Sequence, residues 1–124
     1  MSYSIERKTK LYLDDIRIPK SDGFTIVRSF DEAVEFIRKY NIPQYISFDH
    51  DLGCDKDGKL LKDGYDFAKW LIEIDLDNKF NFPNDFEYNV HSANPVGKHH
   101  IETILDNYLQ FKIQYKDEDN INQT

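Results

Sequence analysis

Three short stretches of this sequence concentrate side chains capable of chemistry: Asp14-Asp15, Asp49-His50-Asp51 and His91-Ser92-Ala93-Asn94. Aspartates drawn together repel one another, and a divalent cation relieves that repulsion. Hard carboxylate oxygens suit Mg²⁺ or Mn²⁺. Such a cation polarises a phosphoryl oxygen and activates water. Asp14, Asp15, Asp49 and Asp51 are therefore the expected metal ligands. The competing reading is that Asp14 and Asp15 cap a turn, as single acidic turns commonly do. Two acidic turns that converge are uncommon, which favours the metal.

His50 and His91 are candidates for general acid and base, because imidazole titrates near neutrality. The blander reading of each is a structural hydrogen-bonding residue. The run from Ser92 to Lys98 leads into a helix, where free amides and the helix dipole receive an anion. The Ser92 hydroxyl and the Lys98 ammonium add contacts there. Arg17 offers a planar fork for phosphate, with a surface salt bridge as the equal alternative. His99 and His100 read as a solvated helix surface. Asp55-Lys56-Asp57-Gly58 is not a calcium loop, since Gly53 and Gly64 fall where ligands are required. No Gly-rich phosphate loop ending in Lys-Ser/Thr is present, and His99-His100 lacks the spacing of a helical zinc pair.

The elements that must position these residues alternate between strands and helices. Leu11-Tyr12-Leu13 is a short apolar run stopped by acids, which reads as a buried strand. Pro19 and Ser21-Asp22-Gly23 mark a turn. Phe24 to Arg28 is a second strand, and Ser29 with Glu32 opens a helix carrying Ala33, Val34, Phe36, Ile37 and Tyr40. Asn41 and Pro43 end it. Tyr45 to Phe48 is a third strand. After a polar loop, a helix from about Gly64 buries Phe67, Ala68, Leu71 and Ile72. Phe86 to Val90 is a fourth strand. A last helix, capped by Asn94 with Pro95 at its first position, buries Ile101, Ile104, Leu105, Tyr108 and Leu109. Phe111 to Tyr115 is expected as a final edge strand.

The domain is expected over residues 10–115, with a lead-in at 1–9 and a flexible polar tail at 116–124. Alternation of this kind predicts a parallel sheet covered on both faces. Ligands then bind outside the carboxyl ends of the strands, where all three polar stretches fall.

Composition narrows the partners. The chain has 124 residues, enough for one core, with nine Phe and eight Tyr to fill it. Its formal net charge of -7 argues against duplex DNA or an anionic membrane as partner. A nucleotide or RNA end in a local pocket stays compatible with it. Cys54 stands alone, so no disulfide framework is expected. The polar N-terminus shows no signal peptide, and no run is long enough to span a bilayer. A soluble cytoplasmic protein is the expectation. Oligomeric state is not legible.

The polar stretches also carry a resemblance. Leu11-Tyr12-Leu13-Asp14-Asp15-Ile16-Arg17-Ile18-Pro19, Ser47-Phe48-Asp49-His50-Asp51-Leu52-Gly53, Asp63-Gly64-Tyr65-Asp66 and His91-Ser92-Ala93-Asn94-Pro95-Val96-Gly97 resemble the cyclic-phosphate processing receiver-like domain family. The match runs from about Leu11 to Leu109. The resemblance implies a flavodoxin-like, receiver-like three-layer sandwich with a central parallel sheet in the order 2-1-3-4(-5). It implies that Asp14 and Asp15 match the acidic pair that binds Mg²⁺ and that Asp49 matches the phosphoacceptor. Asp63-Gly64 resembles the Asp/Asn-Gly pair downstream of that acceptor. In a signalling receiver the fourth strand ends in Thr or Ser and Lys-Pro follows the fifth. Here His91-Ser92 ends the fourth strand and no Lys-Pro follows, so the switch residues of phospho-signalling are missing.

The function expected from these residues is a metal-dependent phosphoesterase acting on a cyclic phosphate, such as a 2′,3′-cyclic phosphate of an RNA end or nucleotide. Asp14, Asp15 and Asp49 hold the metal with Asp51 assisting. His91 or His50 protonates the leaving oxygen. Ser92, Asn94, Lys98 and the helix N-terminus steady the phosphate, with Arg17 nearby. Either water or Asp49 is the nucleophile. The alternative from another class is a non-catalytic receiver-like module that binds a nucleotide or a protein partner.

Overall fold

Short apolar segments ending in polar residues fold as four parallel strands in this computed structural model, which describes residues 9–122, with side chains for 9–115. The chain runs β1 (Lys10–Leu13), β2 (Thr25–Val27), α1 (Phe30–Tyr40), β3 (Tyr45–Phe48), α2 (Gly64–Leu76), β4 (Glu87–Val90) and α3 (Pro95–Asn122). The sheet order is β2-β1-β3-β4, all parallel, which is the flavodoxin-like receiver arrangement. No helix among the described residues is long and apolar enough to cross a membrane. The expected lead-in lies outside the described residues except for Thr9, whose carbonyl accepts from the Tyr45 amide.

The helices start where the sequence places caps. Ser29 accepts from the Glu32 amide, while the Glu32 carboxylate reaches back to the Arg28 amide. Asp63 and Asp66 form a reciprocal capping box on α2. A cap of this kind contributes about 1 kcal/mol. Asn94 caps α3 by accepting from the Gly97 amide, with Pro95 at the first helical position.

Strand residues alternate between two faces. Leu11, Leu13, Ile46, Phe48 and Val90 form one face and pack with Ala33, Phe36 and Ile37 of α1, Phe67, Ala68 and Leu71 of α2, and Ile101 and Leu105 of α3. Tyr12 and Ser47 belong to the opposite face. The expectation of helices on both faces needs correction. Right-handed crossovers from β2 to β3 and from β3 to β4 put α1 and α2 on the same side. The β1–β2 connection, residues 14–24, contains no helix that could reach the other side. Among the described residues the helices therefore form one layer, and the second sheet face is held by side chains. There Phe24 contacts Tyr12 and Tyr45 edge-on, at centroid distances of 5.7 and 5.8 Å.

A second correction concerns Phe111 to Tyr115, which lies within α3 rather than in an edge strand. No glycine, proline or turn residue separates Leu109 from Phe111, so nothing lets the chain leave the helix. Helical spacing stacks Phe111 on Tyr108 and on Tyr115. It also brings the Lys112 ammonium to 3.0 Å from Asp75 of α2. The helix continues to Asn122, through most of the segment expected as a tail. Among the described residues β4 is thus the sheet's last strand.

Candidate metal centre

Asp14, Asp49 and His91 each stand one position past a strand, and each continues the ladder by one bond. The Asp14 amide donates to Val27 at 3.1 Å, that of Asp49 to Leu13 at 2.9 Å, and that of His91 to Phe48 at 2.9 Å. Sheet pairing alone therefore fixes the backbone beneath the site. Asp14, Asp15 and Asp49 each present an oxygen, and the three oxygens lie within 4.8 Å of one another. Asp14 is fully buried and Asp49 nearly so.

The two buried carboxylates are tuned in opposite directions. Burial pushes Asp14 up, but the amides of Arg17 and Ile16 and a hydrogen bond from His91 outweigh it and hold its pKa below the ordinary value. Burial also pushes Asp49 up, and the charge of Asp14 adds to it. The charge of His91 and the His50 amide oppose this without reversing it. Asp49 thus carries its charge against its surroundings.

No lysine or arginine side chain pairs with these three carboxylates among the described residues. The nearby arginines are used on backbone instead. Arg17 donates to the His91 carbonyl at 3.2 Å, and Arg28 donates to the carbonyls of Asp14 and Arg17 at 3.2 and 2.6 Å. An all-oxygen donor set with unbalanced negative charge fits a hard divalent cation. The cluster can bind a metal.

Asp51 lies outside this cluster of three. Its Oδ1 pairs with His50 Nδ1 at 2.9 Å, and its Oδ2 accepts from Asn94 at 3.4 Å. The His50 bond, ahead of burial, sets its pKa, which is lowered. The other His50 nitrogen, Nε2, faces Asp63 at 3.4 Å. His91 sits differently. Its Nε2 bonds Asp14 at 2.9 Å, its Nδ1 bonds Ser47 at 2.7 Å, and its ring stacks on Tyr12 with centroids 4.3 Å apart.

The first turn of α3 is largely satisfied from within the protein. Ser92 accepts from the Asn94 amide, Asn94 Oδ1 takes the Gly97 amide, and the Asn94 carbonyl takes the Lys98 amide. Ser92 and Asn94 are thus occupied as caps, and an anion there would meet little more than the Val96 amide. Lys98 is half-buried in the first turn of α3, and Arg17 is exposed in the loop after β1.

Two close approaches hold these loops together. The backbone of Gly64 reaches the Asp49 carbonyl so closely that a Cβ there would sit 1.9 Å from the oxygen. A Cβ on Gly97 would sit 2.3 Å from the His50 ring. Just before Gly64 the segment 54–63 folds on itself through the Cys54–Leu60 bridge and amides donated to Asp55.

The family profile described as the cyclic-phosphate processing Receiver domain matches residues 9–107. The chain belongs to that family. The match begins just before β1 and ends within α3, so it contains all four strands and every residue of the site described above. No curated protein and no solved structure matches the chain significantly.

Sequence reasoning about this cyclic-phosphate processing receiver domain missed Ser47, Arg28 and the Asp63 contact to His50. Ser47 left a signal, being the one small polar side chain inside the run Tyr45 to Phe48. Arg28 and Asp63 left none, because their partners are distant in the chain.

Proposed function

We propose that this receiver-like domain is a metal-dependent phosphoesterase that opens a cyclic phosphate, such as the 2′,3′-cyclic phosphate of an RNA end or a nucleotide. The carrying observation is the cluster of Asp14, Asp15 and Asp49 with no lysine or arginine among the described residues paired to it. Family membership supplies the substrate class. Asp14, Asp15 and Asp49 would hold Mg²⁺ or Mn²⁺, which when bound neutralises charge on phosphoryl oxygens.

The chain's own groups do the rest. Water attacks phosphorus and releases one proton to solvent, one ribose oxygen–phosphorus bond breaks, and the freed ribose oxygen takes a proton. His50 supplies that proton, since its Nε2 lies 3.4 Å from Asp63, too far for a strong hydrogen bond to hold it there. His91 is less suited, because both its nitrogens are engaged at short range. Arg17 turns from the His91 carbonyl to the phosphate, where its fork fits two oxygens. Phosphorus NMR of a 2′,3′-cyclic nucleotide incubated with the protein and Mg²⁺ or Mn²⁺ tests this. Conversion to an open phosphomonoester is expected. A cyclic resonance that persists with folded protein and either metal contradicts it.

A non-catalytic module that binds a nucleotide is the second reading. The observation favouring it is the sheet face that bears Tyr12, Phe24 and Tyr45 and is covered by no described helix. Under that reading Asp49→Ala retains nucleotide binding, and no phosphoester turns over.

A further inference from the structure

Ser47 is 4% exposed and stands in the middle of a strand, where an apolar residue would be expected. Its hydroxyl lies 2.7 Å from His91 Nδ1 and 3.5 Å from the side-chain amide of Asn89 on β4. His91 Nε2 in turn lies 2.9 Å from Asp14 Oδ2.

The donors along this chain run one way only. The other Asp14 oxygen already accepts two amides, at 2.9 and 2.8 Å, which favours a carboxylate that can only accept. His91 can therefore bond Asp14 only in the form that carries its proton on Nε2. In a neutral ring Nδ1 is then an acceptor, and the one group facing it is the Ser47 hydroxyl. The Asn89 amide can only donate, so it directs the Ser47 proton away from itself and toward the ring. A proton on Nδ1 would instead leave the buried Ser47 proton without an acceptor, which is costly.

We propose that Ser47 is a positioning residue for the metal centre: with Asn89 it fixes His91 as the Nε2-protonated tautomer, and His91 then holds Asp14 in its ligating orientation. Tyr12, stacked on the imidazole, fixes the plane of the ring. The inference rests on the reading that Asp14 is a metal ligand. It assigns His91 to orientation rather than to proton delivery. A ligand oriented from behind in this manner typically loses about tenfold or more in metal affinity when the support is removed.

The test uses the full chain in the wild-type form and as Ser47→Ala and Ser47→Thr. Ring ¹⁵N shifts of His91 are recorded in metal-free protein, and Mn²⁺ affinity is measured by titration. The wild type should show the Nε2-protonated form. Ser47→Ala should redistribute the tautomer and weaken Mn²⁺ about tenfold, and Ser47→Thr should restore both. A wild-type ring protonated on Nδ1 overturns the proposal, and that result needs no variant to fold. A Ser47→Ala protein with unchanged tautomer and affinity also overturns it. Neither readout requires turnover, so a protein that shows both effects yet opens no cyclic phosphate upholds the role of Ser47 and defeats the phosphoesterase reading alone.

Discussion

Gly97 of α3 lies against the imidazole of His50, close enough that a methyl there would sit 2.3 Å from Cγ. The obstacle is a side chain, which can swing aside. Gly97→Ala should therefore fold and bind metal while displacing His50, lowering turnover by about 10- to 100-fold. Gly64 presents the opposite case, since its neighbour at 1.9 Å is the Asp49 carbonyl oxygen. Backbone cannot swing aside, so Gly64→Ala should lose about 3 kcal/mol of stability. Urea denaturation of both variants beside a turnover assay checks the contrast. Equal loss of stability in the two would contradict it.

Asp49→Asn should stabilise the metal-free protein. Burial and the Asp14 charge oppose the ionised form of Asp49, so the folded state is strained at neutral pH. The amide removes that charge and still accepts the His50 amide through Oδ1. In chelator the variant's Tm should rise by a few degrees. Added Mg²⁺ should raise the wild-type Tm and leave the variant's unchanged. A variant less stable than the wild type in chelator would argue against charge repulsion in this cluster.

Asp75, at the far end of α2, governs acid stability. Burial pushes it up, but Tyr108, the Phe82 amide, Lys112 and Asn81 together hold its pKa below the ordinary value. A carboxylate depressed in the folded state contributes stability above its unfolded pKa of about 3.9 and loses it as pH falls through the folded value. Asp75→Asn should thus be much less stable than the wild type at neutral pH, with the gap closing in strong acid. Tyr108→Phe should cost roughly 2 kcal/mol at neutral pH. Denaturation across the acid range reads both effects, and a gap that does not narrow in acid would contradict them.

The four strands, the caps at Ser29 and Asn94, and the convergence of Asp14, Asp15 and Asp49 were legible in the residues, while the strand order came from the family resemblance. The first group depends on local pattern and on the rule that strand ends carry ligands. The single helical layer was not legible, because the missing crossover helix shows only as a Pro- and Gly-punctuated loop between β1 and β2. Phe111 to Tyr115 was misread for a related reason. Alternating Phe, Ile and Tyr fit a strand, yet the same residues fit helical stacking on Tyr108 once Lys112 reaches Asp75. Asp51 looked like a ligand by proximity to Asp49, but it lies outside the cluster of Asp14, Asp15 and Asp49 and pairs with His50 and Asn94 instead.

The most direct measurement is turnover of a short RNA bearing a 2′,3′-cyclic phosphate, by the wild type and by Asp49→Ala, with Mg²⁺ or Mn²⁺ and with chelator. Metal-dependent ring opening is expected, lost in the variant and in chelator. Opening that survives chelator or Asp49→Ala, or none by folded wild-type protein with either metal, would contradict it.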